Sequence, residues 1–149
     1  MSYPKTQPPP AMNLNDLSGI IVDEAYKLHA DLGPGLLETV YEVLLCHRLE
    51  RRGLRVRRQV PVPIRYDGIE FEEGFRADLV VEEAIIVELK SVDQNLPVHG
   101  KQLLTHLRLA DKRLGLLINF GLVLFKDGIK RVANHLPTTD SLPAPARPE

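Results

Sequence analysis

Apolar residues in the first third of the chain recur at the three-to-four-residue spacing of helices. The spacing predicts a first helix over about 17–32, with Asn15 or Ser18 as the cap at its start. The turn Gly33-Pro34-Gly35 is expected to end it, because glycine stops a helix and proline cannot extend one. A second helix is predicted from about Leu37 to Arg52. Its apolar stripe consists of Val40, Tyr41, Leu44, Leu45 and Leu49.

The period then changes to the alternation of strands, beginning near Leu54. Pro61 and Pro63 indicate that this first strand lies at a sheet edge or is bent. The alternation predicts that one face of the strand carries Leu54, Val56, Val60, Val62 and Ile64.

The rest of the chain continues with further strands and one more helix. Pro97 suits the first turn of that helix, which is predicted over 97–112. The whole order is α-α-β-β-β-α-β-β, which predicts a mixed β-sheet flanked by helices, of the α/β (α+β) class. The remaining predicted segments are a turn at Asp67-Gly68, a strand over 69–81, a turn at Glu82-Glu83, a strand over 84–91, a strand over 114–118, and a last hairpin of Val123–Phe125 with 129–132.

Composition sets the limits within which these elements fold. The 149 residues, 44% of them hydrophobic, fit one domain, expected over 13–136. Four of the 12 prolines fall in each of the segments 1–12 and 137–149, which we expect to be flexible tails. No apolar run reaches the roughly 20 residues of a membrane span, and the first residues lack a signal peptide's apolar stretch.

The cysteine count restricts the chemistry further. The single cysteine, Cys46, cannot form an internal disulfide or a cysteine metal site, and burial as a small hydrophobe is its expected role. We therefore expect a protein of the reducing cytoplasm.

Candidate chemistry lies in the middle hairpin. Glu88 and Lys90 are two apart on the third strand and share a face. The opposite face carries Ile85, Val87 and Leu89, which we expect to lie in the core. If the preceding turn is centred on Glu83, Asp78 lies directly opposite Glu88. Two carboxylates that close repel each other unless a cation lies between them.

This arrangement predicts a site for Mg²⁺ or Mn²⁺, with Asp78, Glu88 and the backbone carbonyl of Leu89 as ligands. Lys90 would hold a water or stabilise charge that builds on a phosphate, as metal-assisted phosphodiester hydrolysis requires. The Glu-x-Lys pair alone occurs readily by chance, and a solvated strand face with a cross-strand salt bridge is the other interpretation.

Two helices carry further candidates. Glu38 and Tyr41 share a face of the second helix, although Glu38 also suits a first-turn acid and Tyr41 a core residue. On the third helix His99, Gln102 and His106 form one stripe. That stripe either positions substrate phosphate or is a plain solvated face.

The net charge of −1 conceals a basic segment. Residues 48–58 hold six arginines, and arginine forks suit phosphate. The alternative is a solvated surface partly paired with Glu70, Glu72 and Glu73. The low aromatic content of 5% argues against a stacking platform for single strands. The predicted nucleic-acid contacts are Arg51, Arg52, Arg55 and Arg57.

Several separate stretches resemble the GxxExxY protein family in the same order. Gly35, Glu38 and Tyr41 match its naming pattern. The resemblance covers about 16–134 and includes Gly74-Phe-Arg-Ala-Asp-Leu-Val-Val81, Ile86-Val-Glu-Leu-Lys90, Pro97-Val-His99, Gln102-Leu-Leu104 and Arg113-Leu-Gly-Leu-Leu-Ile-Asn-Phe-Gly121.

This family is grouped with the PD-(D/E)XK nuclease-like superfamily. The resemblance implies a restriction-endonuclease-like core, α-β-β-β-α-β, around a divalent metal. It implies catalytic positions for Asp78, Glu88 and Lys90, with Glu38 as the first-helix acid and Gln102 on the following helix. Family members often carry Tyr where this chain has His106.

These expectations lead to two hypotheses about function. The first is a small Mg²⁺- or Mn²⁺-dependent nuclease, and the second is a nuclease fold that binds nucleic acid or protein without catalysis. A core this small has little surface for specificity, which favours a homodimer or a protein partner. The apolar segment 122–125 is the candidate strand for such pairing.

Overall fold

The computed structural model describes residues 12–134. The order of its helices and strands confirms the predicted α-α-β-β-β-α-β-β. The predicted tails, 1–12 and 137–149, lie outside the described residues except for Met12. The elements are α1 Leu14–Leu32, α2 Glu38–Arg51, β1 Val56–Tyr66, β2 Ile69–Val81, β3 Ile85–Lys90, α3 Pro97–Ala110, β4 Leu114–Asn119 and β5 Ile129–Ala133, with a 3₁₀ turn at Phe125–Gly128.

The five strands form one mixed sheet in the order β1-β2-β3-β4-β5. Neighbouring strands run antiparallel except β3 and β4, which are parallel. A parallel pair needs a crossover, and α3 provides it. No helix within residues 12–134 is long and apolar enough to cross a membrane.

Each face of the sheet packs on its own helices, because alternate residues of a strand point to opposite faces. Val87 and Leu89 of β3 lie in one core cluster with α1 and α2. Ile86 lies in the other cluster, where Leu103 of α3 is fully buried. The prediction that the odd-numbered residues of β3 form the core is therefore confirmed.

The cap of α1 differs from both predicted residues. The Asn13 side chain accepts a hydrogen bond from the Asp16 backbone N–H at 2.8 Å. The helix begins at Leu14, so Asn15 and Ser18 already lie inside it. The Ser18 hydroxyl instead donates to the Asn15 carbonyl at 3.0 Å.

The buried stripe of α2 is centred one residue away from the predicted one. Tyr41, Leu45 and Leu49 are fully buried at four-residue spacing, and this orientation turns Val40 outwards to 37% exposure. The same orientation buries Glu42 and Cys46.

The predicted single apolar face of β1 is wrong. Val56 packs in the cluster of α1 and α2, whereas Val60 packs in the cluster of α3. Gln59 between them has a φ of 51°, and this break in extended backbone reverses the alternation. Leu54 is buried but precedes the strand. β1 is an edge strand, as its prolines predicted.

The predicted strand at Val123–Phe125 is also absent. Residues 129–133 pair with β4 instead, and Val123 is 82% exposed. Phe125 is buried with its ring 5.8 Å from that of Tyr26 and 6.4 Å from that of Phe120. This packing holds the segment as a turn, so it offers no strand for pairing with another chain.

Candidate functional site

The site lies where β2 and β3 separate. Their pairing runs from Val81 opposite Ile85 to Leu79 opposite Val87 and stops there. One further step of this register sets Asp78 across from Glu88, as the predicted turn at Glu83 requires. The Asp78 carboxylate Oδ2 accepts the Leu89 backbone N–H at 2.8 Å. At this point the side-chain oxygen of Asp78 therefore accepts the hydrogen bond that a backbone carbonyl of the neighbouring strand would otherwise accept.

The pairing of β2 with β1 is interrupted at the same position. Paired residues flank Gln59 and Asp78 on both sides, but these two are not themselves paired. The Gln59 amide Nε2 donates to Glu42 Oε1 at 2.7 Å and lies 3.4 Å from Asp78 Oδ1. Gln59 thus connects the buried carboxylate of α2 with that of β2.

Glu88 is held from the opposite side by α3. The residue is only 8% exposed, and its Oε2 accepts a hydrogen bond from His106 Nδ1. The His106 ring stacks on Phe75 at a centroid distance of 4.0 Å with the planes 3° apart. His106 and Phe75 therefore fix the orientation of the Glu88 carboxylate.

Glu38 is the first residue of α2 and faces the same cluster. Partial burial raises the pKa of its carboxyl, and the Asp78 charge raises it further. The Lys90 ammonium lowers that pKa, while Glu42 and Glu88 add to the rise. These mutual effects require Glu38 to lie close to the other charged groups.

Asp78 experiences the same accumulation of negative charge. Burial raises the pKa of its carboxyl, the Leu89 N–H opposes this rise, and the charges of Glu88 and Glu42 add to it. The net direction is upward, so the protein provides too little positive charge here to compensate the buried carboxylate.

Lys90 lines a cleft of about 420 Å³ beside the carboxylates. No carboxylate in residues 12–134 forms a salt bridge with its ammonium group. The structure therefore brings together Glu38, Asp78, Glu88 and Lys90. Gln102 is exposed on α3, one turn before His106, and within residues 12–134 its side chain forms no hydrogen bond with these groups.

Tyr41 explains how the chain delivers Glu38 to the site. Its hydroxyl donates to the Gly33 carbonyl at 2.5 Å and accepts from the Leu36 N–H at 3.2 Å. Its ring stacks on Phe120 at 4.4 Å. The loop between α1 and α2 is thereby tied down immediately before Glu38, with Gly35 at a φ of 113°.

Two residues of the site were not predicted as candidates. Glu42 is 4% exposed. Its carboxylate accepts a hydrogen bond from the Gln59 amide and forms an ion pair with the Arg58 guanidinium at 3.0 Å. A signal for Glu42 exists in the sequence, because it follows Glu38 by four residues and shares its side of the helix. Gln59 carries no such signal, since its role depends on the break in β1.

The predicted arginine contacts are mostly engaged in ion pairs. Arg52 lies 2.6 Å from Glu24, Arg55 lies 2.9 Å from Glu82, and Arg57 lies 2.6 Å from Glu83. Arg51 is exposed.

The alternative pairing with Glu70, Glu72 and Glu73 is wrong for these arginines. Glu70 pairs with Arg65 and Glu73 with Arg76. The reason is register, because the start of β1 lies beside the end of β2 and its turn to β3.

The donor set suits a hard divalent cation. In the described part of the chain, no three His, Cys, Asp or Glu side chains form a ready-made metal cluster. Mg²⁺, however, is commonly held by one or two carboxylates together with substrate phosphates and waters. Asp78 and Glu88, with the Leu89 carbonyl between Glu88 and Lys90, fit that requirement, and the raised pKa of Asp78 indicates a shortage of positive charge.

Comparison with known proteins identifies a family. A family model described as the PD-(D/E)XK nuclease superfamily matches residues 15–132, from the first turn of α1 into β5. No curated protein and no solved structure matches the chain significantly.

Proposed function

Because this chain belongs to the PD-(D/E)XK nuclease superfamily, we propose that it is a divalent-metal-dependent nuclease that hydrolyses phosphodiester bonds of nucleic acid. The observation that carries this proposal is the meeting of Asp78 and Glu88 at the separation of β2 and β3. Both carboxylates lie between buried neighbours on their strands, where isolated charges are costly unless they serve a purpose or have partners.

Asp78, Glu88 and the Leu89 carbonyl would hold the cation, either Mg²⁺ or Mn²⁺. When bound there, the cation supplies Lewis-acid stabilisation of the charge on the phosphate. The hydrogen bonds from Leu89 N–H to Asp78 and from His106 to Glu88 fix both carboxylates in advance.

Lys90 and Glu38 complete the proposed catalytic group. Lys90 shares the strand face of Glu88, so its ammonium stabilises negative charge as the phosphate reacts. The raised pKa of Glu38 favours its protonated form more than in an ordinary glutamate, which suits a supporting role in proton transfer. Gln102 would contact substrate rather than the carboxylates, since its side chain is exposed.

We further propose that the chain is a GxxExxY protein. Tyr41 and Gly35 support this assignment, because the tyrosine hydroxyl and the positive φ of the glycine shape the loop before Glu38. In this proposal the tyrosine of the motif positions the glutamate and does not touch substrate.

Nucleic acid would also contact the arginine surface formed by Arg51, Arg52, Arg55 and Arg57. Ion pairs between exposed side chains contribute little free energy, so a phosphate can compete for an arginine held in such a pair. The Arg57–Glu83 pair is of this kind, with both side chains more than half exposed.

A second candidate function is a nuclease fold that binds nucleic acid or protein without catalysis. It is favoured by one observation: Asp78 and Glu88 each already have an internal hydrogen-bond donor. In that case the carboxylates would serve the fold and bind no cation tightly.

Calorimetric titration with Mn²⁺ separates the two functions. The wild type is expected to bind the cation, and Asp78→Asn is expected to lose that binding because the amide carries no charge. Its oxygen still accepts the Leu89 N–H, so the fold should persist. Asp93→Asn, at an exposed loop position, is the matched control and should bind like the wild type. A wild type that shows no binding heat, or an Asp78→Asn variant that binds equally, would contradict the nuclease proposal.

A further inference from the structure

A cleft of about 420 Å³ extends from Lys90 along the sheet, between the start of α3 and the beginning of β5. Three basic side chains line it, namely Lys90, His99 and Lys130. Asp127 is its one acidic lining residue. The lining therefore carries an excess of positive charge immediately beside the carboxylate cluster.

The two lysines of the cleft differ from most arginines of residues 48–58 in having no ion pair in the described part of the chain. No carboxylate of residues 12–134 forms a salt bridge with Lys90 or Lys130, whereas Arg52 and Arg57 are each held by a glutamate. Unpaired ammonium groups in a concave surface are available to an anionic ligand without first breaking an internal contact.

Sheet register fixes the distance between Lys130 and the site. Glu88 pairs with Leu117 on β4, and Leu117 pairs with Lys130 on β5. Glu88 and Lys130 therefore lie in one row across three strands, about 10 Å apart at the backbone. A strand of nucleic acid whose phosphate lies at the carboxylates can place a neighbouring phosphate over this span.

Gly100 of α3 leaves room for the side chain of Lys130. A Cβ added at Gly100 would lie 2.9 Å from Lys130 Nζ and 3.3 Å from its Cε. The absence of a side chain at Gly100 thus lets the Lys130 ammonium lie against the helix inside the cleft.

The wall of the cleft is built before any ligand arrives. Asn119 is 2% exposed, and its Oδ1 accepts the backbone N–H groups of Val92 and Gly121 at 3.1 and 2.9 Å. Its amide donates to Asn95 Oδ1 at 3.1 Å. Leu117 and Ile129 supply apolar surface beside these amides. Ordered amides next to apolar side chains suit the sugar and base of a nucleotide.

We propose that this cleft binds a nucleotide that flanks the scissile bond, with its phosphate on Lys130 and its base and sugar against the wall of β4 and β5. The proposal deepens the proposed nuclease function and rests on it for the identity of the bound strand. It adds a subsite that selects substrates with a phosphate beside the cleavage position.

The subsite is tested by titrating the full chain with thymidine 5′-monophosphate and, separately, with thymidine. Binding is monitored through the amide chemical shifts of the protein. The monophosphate is expected to shift the amides of Gly100, Asn119 and Ile129, and thymidine is expected to bind far more weakly. Lys130→Gln should weaken monophosphate binding by about tenfold or more, because it removes a charge-assisted hydrogen bond. Gly100→Ala should weaken it too, by displacing the ammonium group.

Lys101→Gln is the control, since Lys101 is exposed on the same helix and does not line the cleft. Equal shifts from thymidine and its monophosphate, no shifts at millimolar monophosphate, or equal effects of Lys130→Gln and Lys101→Gln would overturn the subsite.

A cleavage assay on the same variants keeps the two proposals apart. If the wild type cleaves and the Lys130→Gln variant cleaves with the same KM, the subsite is refuted and the nuclease proposal stands. If monophosphate binding depends on Lys130 but the protein cleaves no nucleic acid, the nuclease proposal is refuted and the subsite stands.

Discussion

At Asp78 the stability of the fold and the proposed chemistry make opposite demands. The chemistry uses an ionised carboxylate, whereas the fold is destabilised by one. The Asp78 carboxylate is half-buried beside Glu42 and Glu88, and within residues 12–134 only the Leu89 N–H donates to it at a short distance. Burial, followed by these neighbouring charges, holds the pKa of Asp78 above its ordinary value. Without a cation, the ionised side chain therefore destabilises the folded state.

Replacing Asp78 with asparagine should raise the free energy of unfolding at neutral pH in the absence of divalent cations. The folded-state pKa is raised, so the wild-type penalty exists above that pKa and fades as the pH falls through it towards the unfolded value. Urea unfolding at a series of pH values should show the advantage of Asp78→Asn shrinking as the pH is lowered.

Asp93→Asn serves as the control, because Asp93 is exposed and lies in a loop outside the carboxylate cluster. A gain for Asp78→Asn that stays constant down to acidic pH, or a loss of stability at neutral pH, would show that the buried charge is not the cause.

At the same scale, the sequence predicted part of the site. Alternation along β3 and the turn at Glu83 determine the register, so the opposition of Asp78 and Glu88 could be predicted. The link through Gln59 could not, because it depends on a positive φ in a non-glycine residue. The contact of Glu88 with His106 depends on how far α3 slides along the sheet, which spacing alone does not determine.

At the scale of elements, α3 packs closely against the sheet at Gly115 of β4. A Cβ at this position would meet the Leu103 side chain at 3.0–3.1 Å. The contact determines how near α3 lies to β4, and α3 carries both His106 and Gly100. Close packing of this helix therefore supports the carboxylate cluster and the cleft together.

Gly115→Ala is expected to lower the free energy of unfolding by about 1–3 kcal/mol, since Leu103 is fully buried and must shift. Gly19→Ala is the matched control on α1, where a Cβ would meet nothing within 4 Å. That substitution should stabilise the protein by about 0.5–1 kcal/mol, because alanine favours a helix over glycine. If the denaturant midpoints of both variants moved in the same direction, the proposed packing at Gly115 would be contradicted.

The elements themselves could be predicted to different degrees. α1 and β1 end where the Gly-Pro-Gly turn and Asp67-Gly68 indicate, because those residues limit backbone conformation locally. The face of β1 and the segment 123–125 could not be predicted by period alone. A single reversed φ at Gln59 and the burial of Phe125 against Tyr26 decide them, and both depend on the assembled fold.

At the scale of the whole molecule, the net charge of −1 combines surfaces of different character. The arginines of 48–58 are largely neutralised by glutamates, whereas Lys90 and Lys130 remain unpaired beside the carboxylates. Positive charge is thus available at the place where a phosphate would be cleaved. A near-neutral total does not argue against a phosphate-handling protein, since the arrangement of charges determines what binds.

The most direct test of the central claim is the cleavage of a mixture of labelled DNA and RNA in the presence of Mg²⁺. The wild type is expected to cleave, and Glu88→Gln is expected to lower the rate by about a hundredfold or more, because it removes a carboxylate ligand. Glu72→Gln, at an exposed position of β2, should cleave like the wild type. A wild type that cleaves neither nucleic acid with Mg²⁺ or Mn²⁺, or a Glu88→Gln variant as active as the wild type, would contradict the claim.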